Sequence, residues 1–246
     1  MKATFKVKVL QGETPPVPQF VGTRITIEVP PDTLRWGFQS ATLAEGSTAL
    51  TIDWGDGTVE TLSGTITRPV HDYAAAGRYT VEISDDIQAF APSSTGGDVK
   101  TVYAPMIRAY ECLTAKVSTL GSFSMVGLVN MTALDLRRTS IEAIGASAFQ
   151  NCTALESLDG LPQGLRKLSN MCFKSCTGIT GKVYLPCVDT LSGTSASSAP
   201  FIGCTGITEI HFAEANRAAI ESSQIYQIDN HLGAANATVV FDPPDE

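Results

Sequence analysis

Hydrophobic and polar residues alternate with a period of two through the first third of the chain. Phe5, Val7 and Val9 alternate with Lys6 and Lys8, and Ile25, Ile27 and Val29 with Thr26 and Glu28. Leu50, Ile52 and Trp54 alternate with Thr51 and Asp53, and Tyr79, Val81 and Ile83 with Thr80 and Glu82. That period sends one face of each strand into a core and the other into water. Pro15-Pro16, Pro30-Pro31-Asp32, Gly55-Asp56-Gly57 and Ala76-Gly77 punctuate the runs as turns. Asp56-Gly57 between two alternating runs predicts a hairpin, because glycine adopts the positive φ of a tight turn without strain. Short strands at this spacing predict a β-sandwich over residues 1–91. Met1–Gln11 reads as a strand and not as a signal peptide, since it has no apolar central run.

Beyond Pro92–Asp98, read as a linker, the pattern becomes a degenerate repeat. Ala148-Phe149-Gln150-Asn151-Cys152-Thr153-Ala154-Leu155 aligns without gaps to the segments 172–179 and 200–207. The shared pattern is small-Phe-x-x-Cys-Thr-x-[Leu/Ile], with Phe149, Phe173 and Phe201 at one position and Cys152, Cys176 and Cys204 at another. A weaker copy at 127–134 puts Met131 in the Cys place, giving spacings of 21, 24 and 28 residues. Leu134/Leu136, Leu155/Leu158, Val183/Leu185 and Ile210/Phe212 follow as strand candidates. Val102–Ile107 parallels Val183–Val188 and reads as an opening copy, so one strand per coil predicts five strands in a parallel sheet. A single coil cannot bury its own apolar face, whereas stacked coils share a continuous core. Residues 213–221 are rich in helix formers and 237–241 alternate as a strand, so about 213–246 reads as a helix–strand cap. The predicted architecture is therefore mainly β: a sandwich, then a solenoid over 99–246 with short helical and 3-10 turns.

Two resemblances attach to these residues. Asp53-Trp54-Gly55-Asp56-Gly57-Thr58, His71-Asp72-Tyr73 and Gly77-Arg78-Tyr79-Thr80-Val81 resemble the WGDGT, H-x-Y and G-x-Y-x-V pattern of polycystic-kidney-disease (PKD) domains. The resemblance covers roughly residues 40–85 and implies an immunoglobulin-like sandwich of an extracellular protein. Ile141–Leu155 resembles the BspA-type leucine-rich repeats of bacterial surface proteins. Both resemblances imply noncatalytic modules and a bacterial cell-surface or secreted protein that adheres to or binds a protein or glycan. A phage or prophage structural or receptor-binding protein is the alternative, and an accessory part of a hydrolase comes third.

Composition narrows the partners. A net charge of −8 excludes phosphate-driven nucleic-acid binding and electrostatic docking on anionic membranes. No apolar run approaches 18 residues, so no transmembrane helix is expected. Six cysteines are too sparse for a disulfide-built scaffold. The repeat explains Cys152, Cys176 and Cys204, with Cys172 in the Ala148 slot, as buried thiols; a disulfide and a zinc site through Cys172-x₃-Cys176 are the alternatives. Asp53 and Asp56 read as turn residues ahead of calcium ligands or an acid pair, and His71 as a locally bonded strand-end residue. G-x-S-x-G, P-loop, dinucleotide and H-E-x-x-H motifs are missing, so no catalytic, cofactor or metal residue is assigned. The chain is read as a monomer. Its candidate contact residues are the outward members of the repeat strands: Tyr103, Asp135, Tyr184 and His211. The Ser192–Ala199 insert is either a binding loop or a tolerated surface insertion. Asn130, Asn151 and Asn236 fall in sequons that the repeat makes coincidental.

Overall fold

Alternation becomes strand wherever the inward residues can meet a second layer. The computed structural model describes residues 20–244, so the predicted strand at Phe5–Val9 lies outside the described residues. The first stretch contains β1 (Gly22–Val29), β2 (Arg35–Gly37), β3 (Ser40–Leu43), β4 (Ala49–Asp53) and β5 (Val59–Ser63). It continues with β6 (Ile66–Thr67), β7 (Val70–Asp72), β8 (Gly77–Ser84) and β9 (Ile87–Ala91). β1 pairs antiparallel with β8, β8 with β4, and β4 with β5 across the predicted Asp56-Gly57 hairpin. A second sheet has the order β6-β3-β9, and β2 pairs with β7. Ile25, Ile27, Leu50, Ile52, Val81 and Ile83 are buried, while Arg24, Glu28 and Glu82 on the alternate positions stay half-exposed. Trp36, Phe38, Trp54 and Phe90 fill the space between the strands, with ring centroids 4.7–6.5 Å apart.

The segment 92–98 does not separate the halves physically. Ser93 is buried, its amide bonds to Ser124 O at 3.0 Å and its hydroxyl donates to Val126 O at 2.5 Å. A π-type turn at Val99–Tyr103 and a 3-10 turn at Ala104–Met106 lead into β10 (Ile107–Cys112). The opening strand is therefore 107–112 and not 102–107, because Val102–Met106 folds into helical turns around Pro105. β10 pairs antiparallel with β1 on one side and parallel with β11 (Ala133–Asp135) on the other. One six-stranded sheet, β11-β10-β1-β8-β4-β5, thus runs from the antiparallel strands into the repeats.

The coils supply strands to parallel ladders on two sides, with a turn between them. The first, called one ladder for its side of the coils, consists of two separate pairings: β10 with β11, and β14 (Thr180–Tyr184) with β16 (Gly206–Ala213) and β17 (Thr238–Asp242). The second holds β12 (Ala143–Ile144), β13 (Lys167–Leu168) and β15 (Thr190–Leu191). The five expected strands do not form one sheet, because the coil at 155–161 carries no strand. Leu155/Leu158 fails as a strand candidate since Asp159-Gly160 turns the backbone and Pro162 has no amide to donate. Gly160 packs so tightly that a Cβ there would lie 1.7 Å from Leu134 O, and its carbonyl accepts from Leu136 N at 2.6 Å. The first ladder is interrupted between β11 and β14.

The turns carry the repeat signature. Phe149, Phe173 and Phe201 are fully buried and stack at centroid distances of 5.3 and 5.4 Å, nearly parallel. Each amide at this position bonds across to the next coil: Met125 N to Ala148 O, Phe149 N to Cys172 O, and Phe173 N to Pro200 O, at 2.8–2.9 Å. The Cys152, Cys176 and Cys204 thiols donate to the carbonyls of Met125, Phe149 and Phe173 at 3.0–3.1 Å. A buried thiol here fills a small space and supplies a donor to a backbone acceptor of the preceding coil. This register places Met125 with the phenylalanines and Leu128 with the cysteines, so the spacings are 24, 24 and 28 residues. Met131 belongs instead with Leu155 and Ile179: its amide bonds to Leu128 O as theirs bond to Cys152 O and Cys176 O. The slot before the cysteine has a left-handed backbone, held by Gly127, Asn151, Ser175 and Gly203 with φ of 73°, 63°, 59° and 79°.

The longer spacing before Cys204 is absorbed locally. Ala196–Ser198 forms a 3-10 turn with a Ser195/Ser198 capping box, and Ser198 O accepts from Met171 N at 3.1 Å. After β16, α1 (Arg217–Ser222) and α2 (Gln224–Ile228) bury Ile220 and Ile225 before the chain returns as β17. Asn130 and Asn236 donate side-chain hydrogen bonds to Pro105 O and Thr205 O of the preceding coil, at 2.8 and 3.1 Å.

Candidate binding face

The first ladder turns alternate side chains toward solvent, and the register lines them up in rows. Glu82, Arg24, Glu111 and Asp135 are paired neighbours on four successive strands, β8, β1, β10 and β11. Arg24 meets Glu82 at 2.6 Å and Glu111 at 3.6 Å, and Asp135 is gripped by Arg137 at 2.6 Å. The Arg137 hydrogen bond holds the Asp135 carboxyl below the usual range. This charged row crosses from the antiparallel strands to the repeats without a break.

A second cluster lies on β14, β16 and β17. Lys182 pairs with Glu209, and Tyr184 with His211. The Lys182 ammonium is 2.8 Å from Glu209, and this contact, followed by His211, holds the Glu209 carboxyl below its usual range. His211 is buried, with Nε2 2.7 Å from Glu209 and Nδ1 3.0 Å from both oxygens of Asp242. Two carboxylates therefore hold the ring in place, one at each nitrogen. Tyr184 stacks on that ring at 4.5 Å and is 55% exposed. The tyrosine is thus a solvent-facing aromatic fixed from behind.

The interruption at 155–161 opens the face. A cavity of about 220 Å³ lies between the 158–165 loop and Tyr184–Val188. It shares Tyr184 and Pro186 with a neighbour of about 230 Å³ over His211 and Asp242. In the other direction it shares Asp159 with a depression of about 300 Å³. It also shares Gln163 with one of about 570 Å³ lined by Arg24, Glu111, Asp135, Arg137 and Arg138. Neighbouring depressions thus share lining residues along the face from Arg24 to Pro244.

Three of the four candidate contact residues, Asp135, Tyr184 and His211, lie on this face. Tyr103 does not. It is buried in the helical turn before β10, its carbonyl accepts from Trp36 Nε1 at 3.2 Å, and it has no counterpart to the strand position of Tyr184. Sequence reasoning missed Arg24, Glu111, Asp159 and Asp242. Strand register brings Arg24, Glu111 and Asp242 to the face, Asp159 reaches it on the loop before Pro162, and no local motif marks either.

The WGDGT-like segment is tied up locally. Asp53 accepts from Gly55 N at 2.8 Å and Asp56 from Thr58 N at 3.0 Å. His71 stacks on Trp54 at 4.9 Å and its Nε2 meets Asp56 at 2.8 Å, while Tyr73 donates to Trp54 O at 3.1 Å. Burial pushes the Cys172 thiol well up; Cys176 and Cys204 are raised by the thiol next to them in the column and by burial, so all three stay protonated. Cys187 is the exposed cysteine. Among the described residues no cluster of three or more His, Cys, Asp or Glu is placed to hold a metal ion, and no helix is long and apolar enough to cross a membrane.

Residues 118–231 match the family model of the BspA type leucine rich repeat region, in six copies. No curated protein and no solved structure matches the chain.

Proposed function

We propose that this is a non-catalytic bacterial cell-surface or secreted binding protein that presents its outward strand face to a protein or glycan. In this reading residues 1–91 form a PKD-like β-sandwich. Residues from 99 form a leucine-rich-repeat solenoid, with the chain from residue 213 onward as its cap. The 92–98 boundary is then a change of sequence pattern within one packed body. The observation that carries the reading is the row of depressions along the first ladder, with ion-paired side chains at one end and an exposed, back-supported aromatic at the other. A rigid face of this kind loses little conformational freedom on binding. Repeats of the matched type are typically interaction modules of surface or secreted proteins, which agrees with that use.

The test is a binding screen of the intact chain against host-surface proteins, matrix proteins and glycans. At least one saturable ligand is expected, lost in Lys182→Ala/Tyr184→Ala and kept in Gln150→Ala/Lys174→Ala on the turn side. A screen without a ligand, or loss on the turn side alone, contradicts the proposal.

A further inference from the structure

We propose that the cavity beside Tyr184 is an anchor pocket for one basic side chain, a lysine or arginine, of a protein partner. The inference rests on the binding-face reading and makes it specific. The pocket lies where the 155–161 coil carries no strand: the 158–165 loop forms one wall and Tyr184–Val188 the other. At about 220 Å³ it lies below the roughly 300–1,000 Å³ that encloses a drug-sized ligand, so it accommodates a single side chain.

Its walls suit a long methylene stem. Leu158, Leu161, Pro162, Pro186 and the Tyr184 ring supply apolar surface, which is what the stems of lysine and arginine cover while their charged ends stay near water. The one charged group in the lining is Asp159. Asp159 is exposed and makes no ion pair among the described residues, and the neighbouring Arg137 is already held by both oxygens of Asp135. A largely apolar cavity with one carboxylate in its lining is complementary to a cation on an aliphatic stem. A sugar ring would need convergent donors and acceptors, and the mostly aliphatic lining offers it few. The net charge of −8 draws a cationic partner segment toward the face.

The experiment follows leucine methyl signals of the intact chain by NMR. The probes are acetyl-Gly-Gly-Lys-Gly-Gly-amide, the same peptide with Nε-acetyl-lysine, the arginine analogue, and maltotriose. The lysine and arginine peptides should give saturable shifts at Leu158, Leu161 and Leu185, weakened by added salt. Asp159→Asn should weaken them about tenfold, the effect of one well-placed charge pair; Tyr184→Ala removes a wall and should weaken them too. Both substituted residues are exposed, and unchanged methyl spectra away from the pocket will report an intact fold. Equal binding of the acetylated peptide or of maltotriose overturns the proposal. So does insensitivity to Asp159→Asn, or an absence of shifts with either basic peptide. If the basic peptides fail while Lys182→Ala/Tyr184→Ala still abolishes a screened ligand, this inference falls and the binding face stands.

Discussion

The antiparallel strands at 20–91 and the coils that follow bury aromatic residues in opposite ways. In the first region Trp36, Phe38, Trp54 and Phe90 come from separate strands and meet at mixed angles, a cluster made by contacts distant in sequence. In the coils Phe149, Phe173 and Phe201 come from equivalent positions and stack face to face, each touching only its neighbours. A cluster of the first kind fails as a whole when one member is lost. A column of the second kind fails from the damaged coil outward. The two are joined by β10, which is antiparallel to β1 and parallel to β11, and by Tyr110, whose ring stacks on Phe90 at 6.0 Å. The antiparallel sheet thereby covers the first coil, just as α1, α2 and β17 cover the last.

The comparison breaks most visibly at its aromatic centres. Phe173→Ala and Trp54→Ala should each cost about 3–5 kcal/mol in chemical denaturation. Hydrogen exchange should then separate them: Phe173→Ala loosens the amides of the coils at 141–213 first, whereas Trp54→Ala loosens β4, β5, β7 and β8 together. Equal loosening of both regions by either variant would erase the distinction. Gly160→Ala comes next. The added methyl meets the Leu134 carbonyl, so the backbone must shift, at about 1–3 kcal/mol. That loss should appear as a lower melting temperature and as altered methyl signals around Leu158.

The thiol column gives a smaller effect. Cys176→Ala removes the donor to Phe149 O and leaves a small void, costing about 1–2 kcal/mol in urea titration. No measurable loss would show that the thiol only fills space. A further test concerns acid. Burial pushes the Asp56 carboxyl up, but the hydrogen bonds from His71 and Thr58 outweigh it and hold the group below its ordinary value. Asp86, bonded by Ser84 and Ser47, is lowered likewise. A carboxyl depressed in the folded state adds stability above its unfolded value near 4, and that stability is lost as pH falls through the folded value. Melting temperature should therefore fall between pH 5 and pH 2, and Asp56→Asn should flatten the fall. The smallest effect is at the surface: Arg166, bonded to Asp189 and more than half exposed, should lose under about 0.5 kcal/mol on replacement by alanine.

Much of this molecule is readable from the order of its residues, and the failures share a cause. The strands around Ile25, Ile52 and Val81, the Asp56-Gly57 hairpin, the Phe/Cys positions and the final helix and strand all depend on local pattern, and all appear in the structure. The earliest coil was misaligned because Asn130-Met131-Thr132-Ala133-Leu134 imitates Asn151-Cys152-Thr153-Ala154-Leu155, while the conformational marker, left-handed Gly127, sits four residues before Met131. Tyr103 matches Tyr184 in sequence down to the proline two residues on, but Val99–Met106 folds into helical turns that bury it. Asp159, Gly160 and Pro162 signal the break at 155–161, against the expectation of one strand per coil. The face itself depends on register: Arg24, Glu111 and Asp242 acquire their neighbours only when β1 meets β10 and β16 meets β17.

The central claim is that one sheet carries the charged row of the face, from Glu82 to Asp135, across the junction between the two regions. Native-state hydrogen exchange of the intact chain at increasing denaturant tests it most directly. The account predicts that the amides of β1, β10 and β11 share one opening transition, with β10 as protected as β1. Rapid exchange of β10 and β11 while β1 and β8 remain protected would show that the sheet ends at β1, and would contradict the account.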